Sequence, residues 1–188
     1  MRSSDVDVLQ RLQPLDILFA VVWAGIVGWG LQTGVVRQLG MLVGVYGGAL
    51  IAGSVYRQGG ALLALGFGNQ DQPQLEFWAY VAIFVVLFSV IGVIMWRSYP
   101  ASRVSRGFGT DNMLGAALGA IWGVLLLIEL LTILRFYAAV PWKGQETTQL
   151  GVLRQIQLSQ VAPTLEVVVS PLWQIMVPWF PAPVNPRL

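Results

Sequence analysis

The chain has no cysteine and no histidine among its 188 residues, and only 11% of its residues are charged. Without cysteine there are no thiol nucleophiles, no disulfides and no thiolate-held zinc or iron–sulfur centres. Without histidine there is no Ser-His-Asp triad and no histidine ligation of haem or chlorophyll. Nine acidic side chains are left for acid–base or oxygen-ligand chemistry, and most lie outside the apolar runs. Soluble domains carry about 25% charged residues, so this chain falls well outside their range. A net charge of +2, scattered along the sequence, excludes the basic footprint of a nucleic-acid binder.

What is present is apolar surface. Hydrophobic residues make up 56% of the chain, and its mean hydropathy is +0.68. The expectation is one all-α integral membrane protein. The N-terminus does not read as a signal peptide, because Asp5 and Asp7 precede the first apolar run and no A-x-A-like site ends it.

The organising stretch is Thr110 to Phe136. Thr110, Asp111 and Asn112 suit a helix start, and the only ionisable groups beyond them are Glu129 and Arg135. At about 1.5 Å per residue the run is long enough to cross a hydrocarbon core of about 30 Å. Gly115, Gly119 and Gly123 recur every four residues within it, as do Gly40, Gly44 and Gly48 in an earlier segment, extended by Ala52. Residues at i and i+4 share a helix face, so each row forms a groove for a neighbouring backbone. The expected fold is a four-span helical bundle with glycine-seam packing, in which spans 2 and 4 meet each other or a neighbouring helix through these faces.

Taken in order, residues 1–13 form a polar segment suited to the membrane surface, residues 14–137 the membrane domain, and residues 138–188 a proline-rich interfacial tail. The spans are placed at about 15–31, 36–55, 77–96 and 112–136. Pro14 suits the first position of a helix, and Asp16 in that first turn complements the helix dipole. Gln32-Thr33-Gly34 is a tight turn, whereas 59–73 reads as a loop. Span 3 is bulky throughout and is expected to face lipid or a partner, with Ser89 and Gly92 marking its inward side. Trp78 and Trp96 lie about 27 Å apart on a helix, matching the two aromatic belts of a bilayer. In the tail, residues 149–161 are weakly amphipathic. Pro171, Pro178, Pro181 and Pro183 then interrupt an apolar stretch that cannot cross lipid as a regular helix, leaving Trp173 and Trp179 as anchors on the bundle or a partner.

Orientation follows from basic residues in short loops. Arg37, Arg97, Arg103 and Arg106 fall on the side of loops 1–2 and 3–4, which is therefore expected to be cytoplasmic, with both termini outside. Loop 2–3 sets Arg57 against Asp71 and Glu76.

Two intramembrane carboxylates are candidate sites. Glu129 is the sharper, because an ionisable group within a span is costly. Its ordinary reading is a glutamate hydrogen-bonded to a neighbouring helix near the outer interface; its functional reading is a polar point on a transport path. Asp16 divides in the same way between a cap at the membrane edge and a second such point. Arg97, Arg103 and Arg106 could recruit anionic lipid or a partner, although orientation explains them equally well. Of eight tryptophans, Trp23, Trp29 and Trp122 are expected to be the more buried. No motif specifies a cofactor or a metal, and no nucleophile–base pair suggests an enzyme.

Leu15-Asp16-Ile17, GWGLQTGVVRQL at 28–39 and GTDNMLGAALGAIWGVLLL at 109–127 resemble the colicin V production protein family. The tail motif Leu158-Ser159-Gln160 with Pro163 is compatible with it. The resemblance implies a small bacterial inner-membrane protein linked to colicin V export and envelope homeostasis, with a tail outside the cytoplasm. The family tends to carry Arg-Gly where this chain has Thr33-Gly34, an acidic residue near Gln38 and an arginine near Trp122. Loss of these charges suits a member embedded in a larger assembly. The expectation is a non-catalytic scaffold or accessory subunit contacting membrane lipids and other integral membrane proteins, in a photosynthetic or respiratory complex as its specific form. The rival is a small transporter or export factor using Glu129 and Asp16.

Overall fold

A computed structural model describes residues 13–67, 71–98, 109–165 and 167. They form five main helices: α1 (Pro14–Thr33), α2 (Val35–Phe67), α3 (Gln72–Ser98), α4 (Thr110–Ala139) and α5 (Glu146–Leu158). A further short turn of helix covers residues 161–165. The first four are each long and apolar enough to span a bilayer, and the chain is a four-span helical bundle.

α1 and α2 are joined by one residue, Gly34, whose φ of 75° is the left-handed conformation glycine adopts without strain. The backbone reversal is fixed from α4. Asp111 at the start of that helix accepts a hydrogen bond from the Val35 N–H at 3.2 Å, capping the α2 N-terminus. At the opposite end of the bundle, Lys143 pairs with Asp71 at 3.3 Å and Gln74 Nε2 donates to Pro141 O at 2.9 Å. These ties join the corner after α4 to the start of α3. Trp142 closes that corner, edge-on to Phe77 and Trp78 at ring separations of 5.7 and 6.1 Å.

α4 contributes to all three buried clusters. With α2 and α3 it encloses Ala52, Tyr56, Phe77, Tyr80, Phe84 and Phe136. With α1 and α5 it encloses Phe19, Leu127, Leu131, Ile156, Ala162 and Leu165. Between these lie Ile26, Met41, Val45 and Trp122. The closest pairings are α1 with α4 and α2 with α3, both antiparallel.

Three expectations are corrected. Residues 59–67 are not loop: α2 continues through them, so Arg57 lies within a helix. Ala61, Leu62, Leu63, Ala64 and Leu65 are strong helix formers, and Gly59 and Gly60 are backed by Ala79 and Glu76 of α3. Pro73 falls in the first turn of α3, where its missing N–H leaves no hydrogen bond unmade. Ser89 is exposed rather than inward. The inward side of α3 runs through Tyr80, Phe84, Phe88, Ile91 and Met95, at steps of three and four; Gly92 does approach Met41. Trp23 is 39% exposed, because its indole N–H reaches the surface-side carbonyl of Ala120 at 3.1 Å. The surface segment at 1–12 and the arrangement of 168–188 lie outside the described residues.

Candidate functional site

The two carboxylates singled out in the sequence are both buried, but in separate settings. Asp16 is only 1% exposed. Its first-turn position puts the carboxylate beside the Gln13 N–H, at 3.4 Å. Its other partners come from the far end of the chain: Ser159 Oγ–H at 2.5 Å, Gln160 N–H at 3.2 Å and Val161 N–H at 3.3 Å. Ser159 Oγ in turn accepts from the Ala162 N–H at 3.0 Å. Asp16 and Ser159 therefore cap the short helix at 161–165 together, clasping the segment after α5 onto α1.

Glu129 is 3% exposed and faces α3 from about two thirds of the way along α4. The Tyr80 hydroxyl donates to Glu129 Oε1 at 2.6 Å. Tyr80 is fully buried and stands edge-on to Tyr56 and Phe136 at 6.4 and 5.9 Å. The small side chains of Ala49 and Ala52 share that cluster and leave the tyrosine room to reach α4.

A third polar group emerges only in three dimensions. Gln38, completely buried, accepts from the Trp122 indole N–H and donates to Thr33 Oγ at 2.5 Å. Thr33 passes the chain to Trp29 O at 2.9 Å. This line joins α4, α2 and α1, and Trp29 meets Trp122 edge-on at 6.3 Å. Gln38 and Thr33 stand at two of the positions where charged residues are expected from the family resemblance. Nearby, the Arg37 guanidinium lies 4.7 Å from the Trp96 ring centre and 3.5 Å from its carbonyl. That contact holds the start of α2 against the end of α3. Arg97 is exposed in the last turn of α3; Arg103, Arg106, Trp173 and Trp179 lie outside the described residues.

The glycines divide by what an added Cβ would meet. At Gly115 it would lie 2.5 Å from Gly30 O and 3.0 Å from Gly34 Cα, and at Gly30 it would lie 2.6 Å from Gly115 O. At Gly119 it would lie 3.2 Å from Ile26 O, and at Gly123 3.1 Å from the Trp23 ring. Gly30 and Gly115 oppose each other across the contact of α1 with α4, and Gly119 and Gly123 continue the α4 side of it against Ile26 and Trp23. In α2, Gly44 faces Ile91 at 3.2 Å and Gly48 faces Phe84 at 3.4 Å, while Gly40 faces the flexible Met95 side chain. Gly30 was not singled out in the sequence; its spacing of four from Gly34 was the available signal. Tyr80 and Ser159 carried no comparable mark beyond the tail motif.

Among the described residues there is no group of three or more carboxylates able to hold a metal ion. A cleft of about 500 Å³ lies between the first turns of α1, the end of α4 and α5. Comparison with protein families gives a match over residues 15–170 to the family described as colicin V production protein. Comparison with curated proteins and with solved structures gives no match.

Proposed function

The chain belongs to the colicin V production protein family, multi-pass proteins of the bacterial inner membrane, and we propose that it acts there as a non-catalytic scaffold. In this reading it docks to other integral membrane proteins and stabilises a larger assembly, with an accessory role in a photosynthetic or respiratory complex as the specific form. The observation that carries it is the state of the buried polar groups. Asp16, Glu129, Gln38 and Trp122 each hold a hydrogen bond that ties one helix to another element, as a fixed framework requires. The rows of glycine on α2 and α4 are proposed to serve as its seams, the α4 row by letting its backbone approach that of α1 and the α2 row by making room for Met95, Ile91 and Phe84 of α3. Exposed Val85, Val86, Val90, Val93 and Ile94 on α3 offer an apolar face to lipid or to a partner span. In this reading the 1–2 turn and Arg97 face the cytoplasm and both termini lie outside, as the basic residues of the short loops favour.

The experiment separates this reading from transport through Glu129. A scaffold needs only the hydrogen bond from Tyr80, so Glu129→Gln should keep an acceptor and leave assembly and growth unchanged. Glu129→Leu strands the Tyr80 hydroxyl and should cost about 0.6–2 kcal/mol, the worth of an interhelical hydrogen bond in a membrane protein. The readouts are the proteins retained on gentle solubilisation and growth under the condition that needs the chain. Loss of function in the Gln variant with assembly intact would favour the transporter, because only an ionisable group can exchange a proton.

A further inference from the structure

The end of the bundle away from Gly34 carries apolar surface at a height where the neighbouring helix is polar. α2 is 33 residues long, about 50 Å, whereas a hydrocarbon core is about 30 Å thick. Its register against α3 shows which part overhangs. Arg37 meets Trp96, Gly48 meets Phe84, Gly59 meets Ala79 and Gly60 meets Glu76. Trp78, exposed and suited to the membrane interface, therefore lies level with about Gly59, and residues 61–67 run past it by about 3–12 Å. At that height α3 presents Asp71, Gln72, Gln74 and Glu76, and Lys143 pairs with Asp71. α2 instead presents Ala61, Leu62 and Leu65 on one exposed face, the two leucines 69% and 85% exposed. Water does not favour such a face. Arg57 and Gln58, both exposed, lie on the membrane side of it, so sinking the leucines into lipid would carry Arg57 down as well.

The chain's own tail has the complementary need. The described residues stop at Val167, just after Leu165, which is buried with Phe19 and Leu131 near the start of α1. That is the same end of the bundle. No charged residue stands between Glu166 and Arg187. Leu172, Trp173, Ile175 and Trp179 are too apolar for water, while Pro171 and Pro178 leave backbone groups that lipid cannot satisfy. At this end α4 lies between α1 and α2, so α2 is about two helix spacings, or about 20 Å, from α1. The six residues from Val167 to Trp173 span about 20 Å when extended. We propose that residues 171–180 pack across Ala61, Leu62 and Leu65 as an apolar strap over this end of the bundle. Each surface then covers one that neither water nor acyl chains would solvate. The strap is independent of the scaffold reading, since it needs no second protein.

The full-length chain in lipid nanodiscs, one copy in each, provides the test. With no native cysteine, Leu65→Cys reports on the α2 face through its rate of labelling by a water-soluble maleimide, and Ser98→Cys serves as an exposed control at the other end of α3. Replacing both Trp173 and Trp179 by serine should quicken labelling at position 65 about tenfold, the change that 1.4 kcal/mol of docking free energy makes, and leave position 98 unchanged. Equal rates at position 65 with and without the two tryptophans would overturn the strap. A photocrosslinking residue at Leu65, with both tryptophans in place, decides independently of how the serine variant folds. It should capture peptides from 171–180 of the same chain. Capture of lipid instead, or in native membranes of a second copy or another protein, would overturn the proposal.

Discussion

Replacing Gly115 by alanine adds one methyl group where α1 and α4 approach most closely. The new Cβ would sit 2.5 Å from Gly30 O and 3.0 Å from Gly34 Cα, both backbone atoms. No side-chain rotation can relieve the overlap, so the two helices must separate locally by about 0.5–0.9 Å to restore ordinary contact. Overpacking of this kind costs about 1–3 kcal/mol. Alanine also gains about 0.8–1 kcal/mol of helix propensity over glycine, which would obscure the loss in a single variant. Gly47→Ala removes that ambiguity. Gly47 is also in a helix interior, but its added Cβ meets nothing within 4 Å. The propensity terms cancel in the comparison, and Gly115→Ala should be less stable than Gly47→Ala by about 1–3 kcal/mol. Reversible unfolding in detergent micelles, followed by circular dichroism against added SDS, measures both. Stabilities equal within about 0.5 kcal/mol would refute the close approach, because the overlap would have to vanish without cost.

Other perturbations test the remaining ties. Asp16→Ala leaves the Ser159 hydroxyl and the Gln160 and Val161 N–H groups without their acceptor. At least about 1.5–3 kcal/mol should be lost, the worth of one charge-assisted bond, and amide exchange should quicken at 159–165 while α2 and α3 stay protected; uniform exchange would contradict a local clasp. Gln38→Leu strands the Trp122 indole N–H and should destabilise by about 1–3 kcal/mol, whereas the paired change with Trp122→Phe should recover part of the loss. Strict additivity of those two would argue against the bond. The chain has no native cysteine, so single cysteines at exposed Ser98 and at Lys143 report topology without background. They should label from opposite sides of the membrane, Ser98 from the cytoplasm, and labelling from one side would overturn the four-span arrangement.

Much was fixed by the chain's own local chemistry. Apolar run length set the four spans, because a backbone crossing lipid must satisfy its hydrogen bonds within a helix. Thr110 to Phe136 was recognisable as the central element, and α4 does contribute to every buried cluster. Glu129 was read as a glutamate bonded to a neighbouring helix, and Tyr80 is that neighbour. Asp16 was read as a dipole complement; that local role stands, but its long-range one was hidden. The motifs at 15–17 and 158–160, recognised separately by resemblance, turn out to meet at Asp16 and Ser159.

Tertiary structure alone decided which faces turn inward and which residues meet. In a soluble helix the polar side points to water and discloses the core. In lipid both sides of a span are apolar, so the sequence of α3 did not distinguish exposed Ser89 from the buried line through Tyr80 and Phe84. The same degeneracy concealed the partners of Gln38 and Trp122, separated by 84 positions, and of Asp16 and Ser159, separated by 143. It also concealed which glycines are crowded: Gly47 and Gly115 look alike in the sequence, yet only Gly115 has another backbone against it. Helix formation depends on neighbours a few residues away, whereas contact between spans depends on rotation and register, and the antiparallel packing of α1 on α4 and of α2 on α3 sets those.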